Sequence, residues 1–556
     1  MSDYPFDLGS HSFRVTTASP EAQVWFDRGL NWVYAFNREE SHRCFERAVE
    51  HDPTCAMGWW GLAHSIGPYY NGPWDLLPPP IREDVNQRVH DFLETAAEHA
   101  AAASPMEQAI IGAARQRCQQ PANDDLEVYA EWDDAYADAM AEAAAQFGDD
   151  DDVCALAVEA LMCRTPWQLW DLENEVPAPG ASTAAAQTLL EMALDRAQRE
   201  GRPPHPGLLH FKIHLMEMSP TPEAALPEAD VLRRLIPEAA HLVHMPSHLY
   251  VLCGRFQDSL DSNVEAVVAD RKFVAEHPEL GIYSIYMLHN LHFQMYSAMF
   301  LGQYEPALRA GEEMWESVTP DMLRHENQML VNYLESFYGM RVHVEIRFGQ
   351  WQKIIDEPMP DDPDLFCVTT ALWHYAKGVA HAALGQVAEA ESEQERFTAA
   401  VERVPEERRV FNNESRAMLE VAEAMLSGEL EYRRGNHDLA FAELRRCVDL
   451  YDHLNYTEPW AWMQPPRHAL GALLLEQGRV DEAAAVYRAD LGLDDTLVRP
   501  SQHPGNVWAL HGSHECLELL GDTEGAAAVA AELAAARAEA DVAVSSSCFC
   551  RGSAPA

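Results

Sequence analysis

The sequence predicts an all-α protein built from tandem helix-turn-helix units, and three observations carry that prediction. Small and apolar residues recur at helical spacing over long stretches; Met418, Val421, Ala422 and Met425 form one such stripe. Runs of strict apolar/polar alternation, which would mark half-buried strands, are scarce. The helical stretches are separated by short turns that pair a glycine or a proline with a polar neighbour: Asp52-Pro53, Gly254-Arg255, Gly302-Gln303, Gly349-Gln350, Gly385-Gln386, Gly435-Asn436, Gly478-Arg479 and Gly521-Asp522. Glycine accepts the left-handed conformation that ends a helix and proline cannot continue one, so each turn reads as the bend of a helix hairpin.

In chain order, residues 1–66 read as N-terminal repeat units, with a helix over 41–50. Residues 67–202 hold Pro78-Pro79-Pro80, an acidic run over 149–152 and aromatic loops, and read as degenerate helical units with insertions. Residues 203–350 return to regular units and carry most of the clustered histidine. Residues 351–540 read as further units, and 541–556 as a tail with a Cys548-Phe-Cys550 pair.

The repeat register resembles that of the tetratricopeptide repeat family, whose unit is about 34 residues long. Counted from Ala22, the preferred positions hold Trp25, Gly29, Ser41, Phe45, Ala48 and Pro53. Further frames give Leu209, Ala225, Ala229 and Pro237; Gly302 and Ala307; Gly378, Gly385 and Ala390; and Gly471, Gly478 and Ala483. His289-Asn290 and the run 241–250 resemble the tetratricopeptide repeat protein 38 type of family. The resemblance implies a right-handed superhelical solenoid in which neighbouring hairpins bury each other's faces. It also implies a concave groove lined by the first helix of each repeat.

Composition narrows the function classes. The chain has 556 residues, with 40 Lys+Arg against 89 Asp+Glu and a net charge of −49. Nucleic acids and anionic membranes are held by clustered cations, so both are excluded as partners on charge. With 47% hydrophobic and 23% charged residues the chain is expected to fold around a large core. The first residues show no cationic and apolar leader pattern, and no apolar run reaches the roughly 18 residues of a membrane span. Eleven cysteines, an odd number scattered through helical sequence, form no disulfide framework. A soluble protein of the reducing cytoplasm is the expectation.

The 25 histidines carry the chemistry. His210 and His214 are spaced i,i+4, as are His244 and His248, and that spacing puts two imidazoles on one helix face. The second pair follows the first by one repeat length, so both occupy the same two repeat positions. His241 precedes His244 by one helical turn, His289 and His292 form an i,i+3 pair, and the third unit places His292 and Tyr296 at the matching positions. In the family resembled, those positions face the groove. Side chains from adjacent helices about 8–10 Å apart are then able to converge on one or two ions. The candidate metal set is His210, His214, His241, His244, His248, His289 and His292. Glu217 is the candidate general base or carboxylate ligand, and Tyr296 a candidate proton donor. Pro246 interrupts the second histidine helix.

Imidazole suits Zn, Cu, Fe and Ni alike, so the expected cofactor is a transition metal, Cu, Zn or Fe. Three functions remain open, the first being the main expectation and the other two its alternatives. One is a metalloenzyme, oxidoreductase or hydrolase, acting on a small molecule or short peptide in the groove. The second is a non-catalytic scaffold whose groove histidines contact a partner peptide. The third is metal storage or delivery. Phosphate-loop, Rossmann, nucleophile-elbow and His-Glu-x-x-His motifs do not occur. The tail thiols of Cys548 and Cys550 are a further candidate ligand pair for a soft ion.

Overall fold

The computed structural model describes residues 4–277 and 283–552, so residues 553–556 of the expected tail lie outside the described residues. Among the described residues helices dominate, as predicted. Apart from an isolated antiparallel bridge between Tyr69 and Gly72, strand structure there is confined to two tight ladders, Trp170–Asp171 with Val176–Pro177 and Arg409–Val410 with Asn413–Glu414. No helix among the described residues is long and apolar enough to cross a membrane. The chain divides into two compact units. The first comprises Met1–Leu249 and Glu265–Tyr283, and the second Tyr250–Val264 and Ser284–Ala556. The predicted 203–350 block therefore contributes to both.

The first unit opens with the hairpin Pro20–Tyr34 and Arg38–His51. Ser19 caps the first helix by accepting from the Ala22 amide, with Pro20 at the first helical position, where no amide hydrogen is needed. Asn37 caps the second in the same way through the Glu40 amide. The two helices approach closely because Gly29 has no side chain. A Cβ there would lie 2.8 Å from the Phe45 ring, and one on Gly61, in the following helix Ala56–Ile66, would lie closer still. Phe45 is thus a wedge locked between two bare stretches of helix.

The second unit repeats the device. Leu444 lies against Gly428, where a Cβ would meet it at 2.7 Å, and Tyr487 lies even more tightly against both Gly471 and Gly512. The spacing from first-helix glycine to bulky second-helix residue is the same in the Gly29, Gly428 and Gly471 hairpins. That is the physical content of the repeat register. Four hairpins follow in order: Cys367–Ala383 with Val387–Glu402, Ser415–Arg433 with His437–Asp452, Pro466–Glu476 with Val480–Asp490, and Val507–Leu520 with Thr523–Glu539. Each turns through a left-handed glycine: Gly385, Gly435, Gly478 and Gly521, with φ of 74°, 81°, 69° and 74°.

The weakly patterned 67–202 region is also helical. Its helices are Pro79–His99, Pro105–Gln116, Leu126–Phe147, Asp151–Met162 and Thr183–Glu200. Two of its aromatic residues, Tyr70 and Trp167, sit on the loops between helices, Trp167 at φ 60°.

Candidate metal centre

The site is built on the helix Pro206–Met216, every residue of which is buried. His205 caps it, its Nδ1 accepting from the Leu208 amide at 3.1 Å, and Pro206 takes the first helical position. One turn apart on this helix, His210 and His214 stand side by side with ring centroids 4.7 Å apart. The next histidines arrive on two short helices instead of one. Ala240–His244 carries His241 and His244, and Pro246 begins Pro246–Leu252, which carries His248. Proline lacks the amide hydrogen that would continue the first of these helices.

Ligand-capable nitrogens of His210, His214 and His241 all lie within 4.8 Å of one another. The rings are 0%, 0% and 4% exposed. Burial holds all three imidazoles well below the ordinary histidine pKa, and the neighbouring imidazoles push in the same direction. They are therefore neutral, the form that ligates metal.

Hydrogen bonds fix which nitrogen carries the proton. His210 Nδ1 lies 2.7 Å from the Tyr34 carbonyl oxygen, and His214 Nδ1 lies 2.8 Å from Glu217 Oε1. A carbonyl and a carboxylate only accept, so both Nδ1 atoms are N–H donors and both Nε2 atoms bear a bare lone pair. Neither Nε2 has a hydrogen-bond partner among the described residues. Two buried lone pairs in one cluster, each with its tautomer set by an outer partner, form the arrangement that a cation satisfies.

Glu217, also fully buried, uses its second oxygen as well: Oε2 accepts from His248 Nδ1 at 2.8 Å. His248 Nε2 in turn lies 2.8 Å from His244 Nε2, a bond completed by the His244 N–H. Glu217 thus orients two imidazoles. A carboxylate engaged on both oxygens acts as a positioning group here more readily than as the free base suggested by its spacing.

Aromatic rings close the surroundings. The helix Pro20–Tyr34 ends where its last carbonyl takes the His210 hydrogen bond, and the chain turns through Phe36 at φ 53°. That left-handed turn, costly for a bulky residue, puts the Phe36 ring 4.5, 5.7 and 5.3 Å from His210, His214 and His241. Tyr70 and Trp167 lie 4.8 and 5.9 Å from His214.

The remaining candidates lie in the second unit, on the helix Tyr283–Leu301. His289 is half-buried with its ring edge on Phe293, 5.1 Å away. His292 is buried between Phe411 and Phe337, with Nε2 3.0 Å from Met463 Sδ. Burial brings its pKa down to about 3, and His343 adds to the effect. Tyr296 is buried against Phe300, and burial pushes its phenol far up.

The first unit holds a second buried cluster, which the sequence reading does not single out. Asp152 Oδ1 accepts from Tyr34 Oη at 2.7 Å and lies 2.9 Å from His11 Nε2 and 3.1 Å from His205 Nε2. Burial alone would raise this carboxyl; His205 and His11 outweigh it and hold the group well below the usual carboxylate range. Its only sequence signals are the acidic run over 149–152 and a histidine placed just before Pro206.

No family model matches the chain, and no curated protein matches it. Solved structures with similarity include the Naa15/Naa10 complex bound to HypK-THB, at 11% identity over 93% of this chain and 70% of that one, with a TM-score of 0.21. Yeast Tom70 shows 9% identity over 91% of this chain and 90% of its own, with a TM-score of 0.28. The APC/C hetero-tetramer Cut9-Hcn1 shows 12% identity, 93% and 94% coverage and a TM-score of 0.24. At such scores the helical-repeat assignment rests on this chain's own hairpins and their glycine-to-wedge packing.

Proposed function

We propose that the chain is a helical-repeat binding protein whose first unit holds, without turnover at that centre, a transition-metal ion on His210, His214 and His241. The observation that supports this is the pair of bare, buried Nε2 atoms on His210 and His214, whose outer nitrogens are tied to Tyr34 and Glu217. Three neutral imidazoles favour Zn, Cu, Fe or Ni over Mg and Ca, which take oxygen ligands. Turnover on a metal needs a coordination position open to substrate, whereas closed sites are structural. Three histidines leave the fourth position of a tetrahedral ion unfilled; burial of all three rings among Phe36, Tyr70 and Trp167 is what supports holding an ion there over admitting a substrate to it.

The test is metal analysis of the purified protein, with titration of metal-stripped protein by Zn²⁺ and by Co²⁺, the latter followed by its visible spectrum. About one ion per chain is expected at tetrahedral or five-coordinate sites, with loss of tight binding in His210→Ala and His214→Ala. Stoichiometric binding that survives both substitutions would sink the reading.

A second reading, a peptide-binding scaffold, is favoured by one observation in the second unit. The segment 545–552 of the chain's own tail is seated there by its main chain. Arg347 donates to the Ser547 carbonyl and Arg433 to the Cys550 carbonyl. Ser547 Oγ is held by Tyr487 at 2.6 Å and by the His468 carbonyl at 2.8 Å. Arginines that engage main-chain carbonyls recognise a backbone more than its side chains. A chain shortened after residue 544 should bind a labelled 545–552 peptide saturably by fluorescence anisotropy; no binding up to about millimolar peptide removes this reading.

A further inference from the structure

The second unit contains a group of side chains that neither the metal centre nor peptide capture uses. Cys548 and Cys550, expected from the sequence as free thiols able to hold a soft ion, instead form a disulfide with each other on the seated tail. Their sulfurs and a carboxylate oxygen of Glu429 all lie within 4.8 Å of one another. Glu429 is on the helix Ser415–Arg433 and is 1% exposed. Its Oε2 is buried without a hydrogen-bond partner among the described residues, with the Arg433 guanidinium 3.9 Å away. The two cysteines and Glu429 line one pocket of about 400 Å³, counting its mouth, walled by Trp351, Tyr375, Met425 and Trp462. Cys548 is half-buried while Cys550 is 1% exposed, so the two sulfurs are inequivalent toward an incoming group. The cysteines outside this pair are buried, Cys253 excepted.

An exchanging disulfide needs an accessible sulfur to attack, a leaving sulfur held in place and a group to handle the leaving sulfur's proton. All three are present. The tail is fixed by its main chain, through Arg347 and Arg433, and by the Ser547 hydroxyl, so cleavage of the disulfide would leave both thiols in the pocket. The Arg551 guanidinium, paired with both oxygens of Glu515 at 2.8 and 2.9 Å, anchors the far side of the pair.

We infer that Cys548, Cys550 and Glu429 form a thiol–disulfide exchange site, with Cys548 as the attacked sulfur, Cys550 as the leaving sulfur and Glu429 as the proton donor and acceptor. The co-reactant is a thiol, from a small molecule or from another protein. A thiolate attacks Cys548 Sγ, a mixed disulfide forms, and the Cys548–Cys550 bond breaks with its electron pair on Cys550 Sγ. That sulfur takes the Glu429 proton. A second thiol attacks the mixed disulfide at the substrate sulfur and releases Cys548 as a thiolate, which is protonated in turn. Two thiols thereby lose two electrons and two protons, and the cysteine pair gains them. In reverse, the dithiol reduces a disulfide and Glu429 takes the Cys550 proton.

Burial raises the Glu429 carboxyl to about 7, Arg433 opposes the rise and Glu476 adds to it. The other ionisable groups on the pocket wall are Arg347, Tyr375 and His468. A carboxyl poised near neutral pH is suited to passing a proton in both directions.

The experiment uses the full-length protein equilibrated across a series of reduced and oxidised glutathione ratios. Thiols are trapped by alkylation, and the peptide carrying both cysteines is quantified by mass spectrometry. A single two-electron transition of the 548/550 pair is expected, with the other cysteines unchanged. A pair that stays wholly oxidised or wholly reduced across the series overturns the inference without any variant. The rate of reduction, normalised to glutathione thiolate, should fall severalfold between about pH 6 and about pH 8 as Glu429 loses its proton. Glu429→Gln should flatten that dependence, and a Glu429→Gln profile that superimposes on the unsubstituted one overturns the role of Glu429.

Discussion

Glutamine at position 217 is nearly the same shape as Glu217 but offers one acceptor oxygen where the carboxylate offers two. Both oxygens are in use: Oε1 receives the His214 Nδ1 hydrogen and Oε2 that of His248, each at 2.8 Å. In Glu217→Gln the amide NH2 must face one of those two N–H groups, and that imidazole has to flip or give up its bond. If His214 gives way, its Nε2 no longer presents a fixed lone pair beside that of His210. Loss of an outer partner of a metal-bound imidazole costs about 10–100-fold in metal affinity, which is about 1.4–2.7 kcal/mol. In the metal-free protein, a buried polar group left unmet costs about 1–3 kcal/mol. Both quantities are measurable on one preparation. Competition with a chromophoric chelator gives the Kd for Zn²⁺, and urea unfolding of stripped protein gives the stability. The expectation is a Kd raised by at least about tenfold together with a lower unfolding midpoint. A variant that keeps both the Kd and the midpoint would refute the orienting role of Glu217 and weaken the case for the centre it orients.

Three further outcomes come from the packing and the buried charges. Burial lowers the pKa of His292 and of His343 to about 3, so both are neutral when folded and take protons readily when unfolded. Their contribution is fully present above the unfolded value of about 6.5 and is lost as pH falls toward the folded value. Each imidazole therefore costs about 1.6 kcal/mol between about pH 6.5 and about pH 5. Urea unfolding of the protein at the two pH values should show a loss that His343→Leu reduces by that amount. Gly471→Ala drives a methyl group into the Tyr487 ring and should destabilise by about 1–3 kcal/mol, whereas Gly112→Ala, exposed on the helix Pro105–Gln116 with nothing within 4 Å, should stabilise by about 0.5–1 kcal/mol; equal effects would refute the wedge account. Truncation after residue 544 removes the carbonyls that Arg347 and Arg433 engage and should cost about 1.5–3 kcal/mol for each charged donor left without an acceptor, read as a lower Tm.

The hairpins were legible because their packing rule is local. Gly29, Gly428 and Gly471 each sit a fixed distance before Phe45, Leu444 and Tyr487, and the turn glycines Gly385, Gly435, Gly478 and Gly521 fall at positive φ. The pairing of His210 with His214 was legible for the same reason, since one helical turn puts both on one face. The wall of the site was not. Phe36, Tyr70 and Trp167 reach it from loops and from a region without repeat register, and loop placement has no periodic signature. Pro246 was visible, but its effect was not. By splitting one helix into two it lets His241 join His210 and His214 while His248 turns to Glu217. The repeat frame also placed His292 and Tyr296 in phase with the earlier histidines, yet the third frame belongs to the second unit. Phase within a repeat fixes which face of a helix a residue occupies, and it is silent on which neighbours that face meets.

Tyr34 gives its carbonyl to His210 and its hydroxyl to Asp152, which also gathers His11 and His205. A single residue at the end of the opening helix is therefore tied to two buried clusters at once. By reciprocity, whatever an ion gains from an ordered N-terminal segment, that segment gains from the ion. Metal occupancy should then be visible as slowed amide exchange near Phe13, Asn31 and Tyr34. By the same coupling, proteolytic nicking of the N-terminal segment is expected to raise the Kd for Zn²⁺ at the proposed centre.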